Sequence, residues 1–468
     1  MILKGIYAFC LSALALLCPG MAVAQELEGT LRLTPPANQS EEMDVLVDPW
    51  SGLGQEPVTG NGEQVSFAAD GEGQSFCIDL DLRGRGEYRN GWGTLRWKRQ
   101  KPAWFVSDRA RLSMGYSRGI LSARVSGQHA GIWGDETLEG KKGAWGLHEA
   151  WGRVDAPMGL FVQVGRQVLS YDDERILGAE DWNQYGFTHD VVRLGYEHGM
   201  HKVHGIVGFN QAGEKTIGGT YYDGAKPYKN MQFLWYHYGN GDQPLQFSLM
   251  GLNQGLEIGS EMLPKTGYMQ MVGGWFQYRR QGWYGKAEGY YELGHDQDQR
   301  SMSAFLAGVR GGYDENRWGA VVGADYVSGS KSSLRKGTNK CFDLLYGSAH
   351  SFYGSMDYFM RGTMLSCGLI DATASVHGSP VSGLDLSVDY HYFMTGVKRA
   401  RLHRQLGHEL DLHLRYNVLK DVAVEAGYSV MMPTSVLVYF KDGSSQSWQD
   451  WGWVSVCFSP RLFSAKSR

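Results

Sequence analysis

The chain has 468 residues, with 64 Gly, 26 Tyr and 15 Trp but only 13 Pro, and a formal net charge of −4. A balance this mild, with no Lys/Arg run, excludes the basic footprint of a nucleic-acid partner. Beyond the leader no apolar run approaches the roughly 20 residues of a membrane helix, yet the glycine and aromatic content points to many short strands and tight turns.

Residues 1–24 read as a secretory signal peptide. Lys4 supplies the positive start, Gly5 to Leu17 the short apolar run, and Ala22-Val23-Ala24 the cleavage site, leaving Gln25 as the expected mature N-terminus. Cys18 is set aside as a lipidation site because Leu17 is a poor residue to precede one. Once Cys10 and Cys18 leave with the leader, Cys77, Cys341, Cys367 and Cys457 remain. Their spacing matches no zinc signature, and isolated packed thiols are expected, with no metal and no cofactor. Residues 25–75, rich in Gly, Glu, Asp, Gln and Ser, are expected to be a flexible periplasmic arm, with room for one short strand at Leu27 to Leu33.

From about residue 76 the pattern has period 2. Asp411-Leu412-His413-Leu414-Arg415-Tyr416 puts Leu412, Leu414 and Tyr416 on one face and charges on the other, and Leu384 to Tyr392 does the same. Such strands are expected at 76–89, 104–117, 119–132, 144–155, 159–168, 189–197, 201–211, 228–239, 244–255, 268–279, 281–294, 301–314, 316–327, 362–377, 382–395, 403–417, 420–431 and 448–459. Connections alternate between short turns (Ala156-Pro157-Met158, Gly239 to Asp242) and long loops (133–143, 169–188, 212–227, 328–361). Short periplasmic turns against long external loops, apolar-out and polar-in strands, and aromatics at strand ends make the expected fold all-β. It is a transmembrane antiparallel up-and-down barrel of about 18 strands, spanning residues 76–463 in the cell outer membrane, with 464–468 as a short tail. An interior of that size holds an aqueous channel.

Parity sorts the lumen charges. Arg83, Arg85, Arg89, Arg109, Arg111, Arg124, Arg153, Arg193, Lys286 and Arg415 face inward, as do Asp79, Asp81, Glu87, Glu149, Asp155, Glu197, Glu288, Glu292, Asp325, Asp385, Asp389, Glu409, Asp411 and Glu425. The lumen is therefore mixed rather than uniformly basic. Arginines gather in the early strands and acids in the later ones, which is expected to set opposite charges on opposite walls.

The segment Gly165-Arg166-Gln167-Val168-Leu169-Ser170-Tyr171-Asp172-Asp173-Glu174-Arg175-Ile176-Leu177-Gly178, followed by Asp181-Trp182 and His189-Asp190, resembles the outer-membrane alginate-export family. Asp343 to Gly347, Phe352-Tyr353-Gly354 and Asp450-Trp451-Gly452-Trp453-Val454 extend the resemblance over roughly 76–463; Asp172 stands where Gly is usual in the family. The resemblance implies a monomeric eighteen-stranded barrel that passes a polysaccharide. Arginine forks are expected to guide its carboxylates. Arg166, Asp173 and Arg175 become a candidate clamp, or an ion-pair network pinning the 169–188 loop to the wall. Arg109, Arg111, Arg153, Arg193 and Glu197 complete the expected solute pathway.

Other motifs weigh less. Gly115-Tyr116-Ser117-Arg118-Gly119 has the form G-x-S-x-G but falls on a hairpin, where a hydrolase elbow does not form. His198, His201 and His204 are spaced for a metal only if they share a face, which a strand denies them. Phe233 to Tyr238 reads as an aromatic girdle before a sugar track, and adjacent His189-Asp190 is poor catalytic geometry. The expected function is thus a conduit for a polar or saccharide solute and not an enzyme. A surface barrel with a plugged lumen and ligand-binding loops is the alternative. Expected partners are outer-membrane lipid, the solute, and periplasmic secretion or assembly proteins meeting the arm.

Overall fold

The computed structural model describes residues 73–135, 144–223, 228–241, 243–315, 317–331, 337–399 and 401–467. The expected signal peptide and the arm up to residue 72 lie outside the described residues. In chain order the strands are β1 (Gln74–Asn90), β2 (Ala103–Arg118), β3 (Leu121–Ile132), β4 (Ala144–Ala156), β5 (Leu160–Gln167), β6 (His189–His198), β7 (His201–Phe209), β8 (Asn230–Tyr238) and β9 (Leu245–Glu257). They continue as β10 (Thr266–Arg280), β11 (Trp283–His295), β12 (Ser301–Glu315), β13 (Trp318–Val327), β14 (Leu369–Val381), β15 (Leu384–Thr395), β16 (Gln405–Leu419), β17 (Val422–Pro433), β18 (Gln449–Phe458) and β19 (Arg461–Ser467).

From β1 to β18 each strand pairs antiparallel with its sequence neighbours, and β1 closes the ring by pairing with β18 and β19. The extracellular half of β1 pairs with β18, Arg89 opposite Trp451, and its periplasmic half with β19, Phe76 opposite Ala465. These two segments are one wall position broken at Ser459-Pro460, so the barrel has 18 strands. Proline has no N–H for the ladder. Its carbonyl instead accepts from Leu80 N–H at 3.1 Å, beside a register shift at Ile78/Asp79. The residues expected as a tail, 464–467, belong to this closing strand.

Sequence periodicity located every other strand within a few residues, with one larger miss. The strand expected from 362 begins at Leu369, because Leu365 and Cys367 turn into the lumen and are buried there. The short helix α1 (Ser435–Lys441) was not anticipated; Thr434 Oγ caps it by accepting from Val436 N–H at 3.2 Å, and Val436 and Leu437 are buried.

Alternation divides the wall into two surfaces. Leu112, Leu194, Leu249, Val309 and Val322 form an exposed outward belt, with Trp104, Trp133 and Trp145 at its extracellular edge and Trp283 and Trp318 at its periplasmic edge. An apolar band between two aromatic girdles is the surface that a bilayer solvates. Facing inward, much of β6 to β12 is apolar as well: Val191, Ile206, Met231, Phe233, Met250, Leu252, Met269, Met271, Met302 and Leu306 are all buried. This stretch of lumen is packed rather than wet, because two long loops fold onto it. Cys77, Cys341, Cys367 and Cys457 are free thiols.

The two surfaces answer differently to charge. Leu249→Arg, in the lipid-facing belt, is expected to destabilise the barrel by about 2–4 kcal/mol in denaturant titrations in lipid vesicles. Met262→Arg, more exposed still but in the loop between β9 and β10, is expected to leave the midpoint unchanged.

Candidate functional site

The loop between β5 and β6, residues 168–188, crosses the lumen. Its first half docks on the far wall. Asp172 accepts from Trp235 Nε1 at 3.1 Å and from Ser248, Asp173 pairs with Lys286, and Arg175 donates to Glu288 at 2.8 Å, Asp325 at 3.1 Å and the Tyr353 hydroxyl at 2.9 Å. Arg310 closes this network by donating to Asp325 at 2.8 Å. Arg175 and its carboxylate partners are almost fully buried, so each charge is compensated where an unpaired one would be costly. Leu169, Tyr171, Ile176 and Leu177 fill the apolar strip of β6 to β12, with Tyr171 against Phe233 and Trp235 at ring distances of 5.1 and 5.0 Å.

The second half docks on the opposite wall. Asp181 accepts from Arg83 at 2.7 Å and Arg109 at 2.6 Å, with Arg111 3.6 Å away, while Trp182 stacks under Arg85 with its guanidinium 3.7 Å from the ring centre. Gln184 then donates to Ser107 at 3.0 Å, and the Tyr185 carbonyl accepts from Gln128 at 2.8 Å.

The loop between β13 and β14, residues 328–368, inserts beside it. Gly178 N–H donates to the Tyr346 carbonyl at 3.0 Å and Tyr346 N–H to the Ile176 carbonyl at 3.1 Å, a parallel contact between the two loops. The approach is so close that a Cβ on Gly347 would collide with the Arg175 carbonyl, and one on Gly178 with Ser348. Beyond the crossing, Met356 N–H donates to Glu409 at 2.7 Å and Ser355 N–H to Asp411 at 3.5 Å, while His350 stacks on Trp182 at 4.3 Å.

Structure sorts the predicted residues into four places. Arg109 and Arg111 meet at Asp181. Asp173 and Arg175 lie across the lumen from them, and the pinning network, rather than an open clamp, describes them. Arg153, Arg193 and Glu197 gather near Phe161: Arg153 pairs with Asp155 at 2.7 Å and lies 3.6 Å over the Phe161 ring, Arg193 donates to Gln163 at 2.6 Å, and Glu197 bonds His204 at 2.8 Å. Arg166 is a correction. It stands opposite Ala150 and Asp190 on the outward parity of β5, pairs with Asp190 at 2.7 Å, and never reaches the lumen.

Further expectations change too. The later-strand acids divide: Glu288 on β11 and Asp325 on β13 stand across the lumen from the arginine sector of β1 to β4, whereas Asp389, Glu409, Asp411 and Glu425 on β15 to β17 lie nearer to it, with only β18 between β17 and β1. Within Phe233 to Tyr238, the inward Phe233 and Trp235 anchor Tyr171 instead of forming a girdle. His201 and His204 face opposite sides, as do His189, bonded to Tyr228 at 3.0 Å, and Asp190. Among the described residues no cluster of metal-ligating side chains occurs. Sequence reasoning missed Asp181 and Trp182 as site residues, although both end the 165–182 segment.

No family model matches the sequence, and no curated protein does. Solved structures do match. OccK2 (OpdF) of Pseudomonas aeruginosa in complex with glucuronate is 12% identical at a TM-score of 0.58, covering 83% of this chain and 98% of that one. OpdK of the same organism with vanillate is 12% identical at 0.55, covering 83% and 99%, and a BenF-like porin from Pseudomonas fluorescens Pf-5 is 13% identical at 0.56, covering 83% and 99%. The fold is that of outer-membrane porins. With its lipid-facing belt and girdles, the chain is an outer-membrane β-barrel.

Arg175→Ala is expected to free the 168–188 loop. Breaking such a buried pair costs about 3–5 kcal/mol, read as faster proteolytic cleavage within the loop and a larger channel current. Arg166→Ala, an exposed outward pair of about 0.2–1 kcal/mol, is expected to change neither.

The loop also titrates. Burial raises Asp172 to about 7, against the opposing bonds from Ser248 and Trp235, and raises Glu180 to about 7. An acid whose folded value is raised favours the docked loop while protonated. That contribution is full below the ordinary carboxylate range and is lost as pH rises through about 7. Open probability in bilayers is expected to climb between pH 5 and 8, and the climb to flatten in Asp172→Asn/Glu180→Gln.

Proposed function

We propose that this protein is a monomeric diffusion channel for small solutes bearing a carboxylate, with the two inserted loops as its constriction. The observation that carries the reading is a descending series of guanidiniums on β2 to β4. Below Arg109, Arg111 stands opposite Gln128, Arg124 opposite Trp151 on the next strand pair, and Arg153 opposite Ser122 nearest the periplasm. Arg124 and Arg153 keep about a quarter of their side chains exposed to the lumen (26% and 23%). Their partners Glu149 and Asp155 leave room for a second acceptor, and a planar fork suits a passing carboxylate. Two of the structural neighbours were crystallised with carboxylates, glucuronate and vanillate, which supports the class.

A polyuronate is the larger version of the same chemistry, and kinship with alginate export rests on sequence resemblance, chiefly in the 165–182 segment. In this arrangement both loops cross the lumen, so a polymer needs them displaced, whereas a small acid needs only a local opening. The filled extracellular half favours one other reading, a plugged barrel whose external loops bind a ligand.

Single-channel recording on the purified full-length protein in planar bilayers separates these. Current that glucuronate blocks is expected, with Arg124→Ala and Arg153→Ala each weakening block by about 1 kcal/mol, roughly fivefold. Current indifferent to carboxylates would drop the solute class. Silence that persists after deleting 169–188 would leave the plugged barrel.

A further inference from the structure

Asp181 is placed as a ligand would be. Its carboxylate sits between Arg83 and Arg109, accepting from Arg83 Nη2 at 2.7 Å and from Arg109 Nη1 at 2.6 Å and Nη2 at 3.3 Å. The peptide around it is gripped as well, with Arg83 donating to the Asp181 carbonyl at 2.6 Å and Arg85 to the Trp182 carbonyl at 2.9 Å. Of the remaining groups at this spot, Asp81 is held by Arg109 at 2.8 Å, and Arg111 spends Nε on Gln128 at 2.9 Å. Arg111 Nη1 lies 3.6 Å from Asp181, and its buried Nη2 has no hydrogen-bond partner. Among the described residues Arg83, Arg109 and Arg111 thus share two carboxylates as ion-pair partners, Asp81 and Asp181, and one of those arrives on a loop.

We infer that Arg83, Arg109 and Arg111 form a carboxylate-binding site on the lumen wall, and that Asp181 is its tethered occupant, which a soluble carboxylate displaces to release the loop. This rests on the channel reading and adds to it a site and the means by which solute opens the path. The occupant is well matched: burial pushes the Asp181 carboxyl up, but Arg83, Arg109 and Arg111 outweigh it and hold it well below the usual carboxylate range. A tethered group competes at an effective concentration on the order of millimolar, so a free monocarboxylate must reach that range to enter. The rest of the loop limits how far release goes. Asp173 and Arg175 remain anchored to Lys286, Glu288 and Asp325 across the lumen, so displacement frees the Asp181–Tyr185 end and leaves the loop attached at the other.

The test uses the full-length barrel with glucuronate as probe. Calorimetry and bilayer recording are run on the parent and on Asp181→Asn, which keeps the shape and removes the charge. Asp181→Asn is expected to bind glucuronate at least about tenfold more tightly, because the tethered competitor is gone, to conduct more in the absence of probe, and to shift its reversal potential toward anions. Adding Arg83→Ala is expected to abolish the gained affinity. A second construction guards against misfolding: Ser107→Cys with Gln184→Cys joins the loop to β2 where the two side chains now bond at 3.0 Å. Oxidised, it is expected to stay at low conductance at every probe concentration; reduced, it is expected to respond as the parent does. Equal glucuronate affinity in parent and Asp181→Asn, or probe-driven opening of the oxidised form, would overturn the tethered-occupant idea while leaving the channel intact. If neither parent nor any variant conducts, and deletion of 169–188 does not restore current, both readings fail together.

Discussion

In a bilayer no water reaches the backbone, so every N–H and C=O at membrane depth must find its partner within the protein. All else here follows from that requirement. It forbids a free sheet edge, and β1 meets it by pairing with both halves of the broken closing strand, β18 and β19. The break at Pro460 falls partway along β1, where its carbonyl still accepts from Leu80 N–H. Closure then fixes parity around the ring, and parity decides which side chains meet lipid and which meet one another.

A ring of this size encloses more space than its own inward side chains fill. The protein fills it unevenly. Over much of β6 to β12, apart from the charged residues of β6 and β11, the inward face is apolar, and the loops 168–188 and 328–368 lay their own apolar side chains against it, giving a hydrophobic core inside the barrel instead of between layers. Burial of this kind is non-directional, so it holds the loops in without specifying where their tips go. The ionic contacts supply direction. Arg175 finds Glu288 and Asp325 on one wall, and Asp181 finds Arg83 and Arg109 on the other. A single loop therefore spans the lumen between two charged anchors of different character: one sealed from water, the other at the head of the arginine series that descends toward the periplasm. That difference is what makes one end a fixture and the other a point of exchange.

Much of this was legible in the residues. Period-2 alternation located the strands, and turn length against loop length gave the up-and-down order, since both are local properties of a half-buried strand. Lumen parity was readable for the same reason, and the inward placement of Arg83, Arg109, Arg124, Glu288, Asp325 and Glu409 follows from counting alone. Arg166 enters the pathway by motif resemblance and not by alternation, and in the barrel it shares the outward face with Asp190.

What the sequence by itself determined is the wall: a closed antiparallel barrel, its lipid face, and the list of charges turned inward. What only the tertiary structure decided is the contents. Whether Arg175 is an open clamp or a buried anchor depends on which strands, more than a hundred residues further on, stand opposite the loop. Glu288 and Asp325 face the arginine sector across the lumen, while the acids of β15 to β17 flank β18 with it, because β18 pairs with both β17 and β1. Asp181 carries no periodic signal, being one acid in an irregular loop. Its meaning comes from three-dimensional closure, which brings it onto arginines about seventy to a hundred residues away in the chain. Local pattern encodes the direction in which a strand residue points, whereas pairings across a lumen are set by the diameter and register of the whole ring.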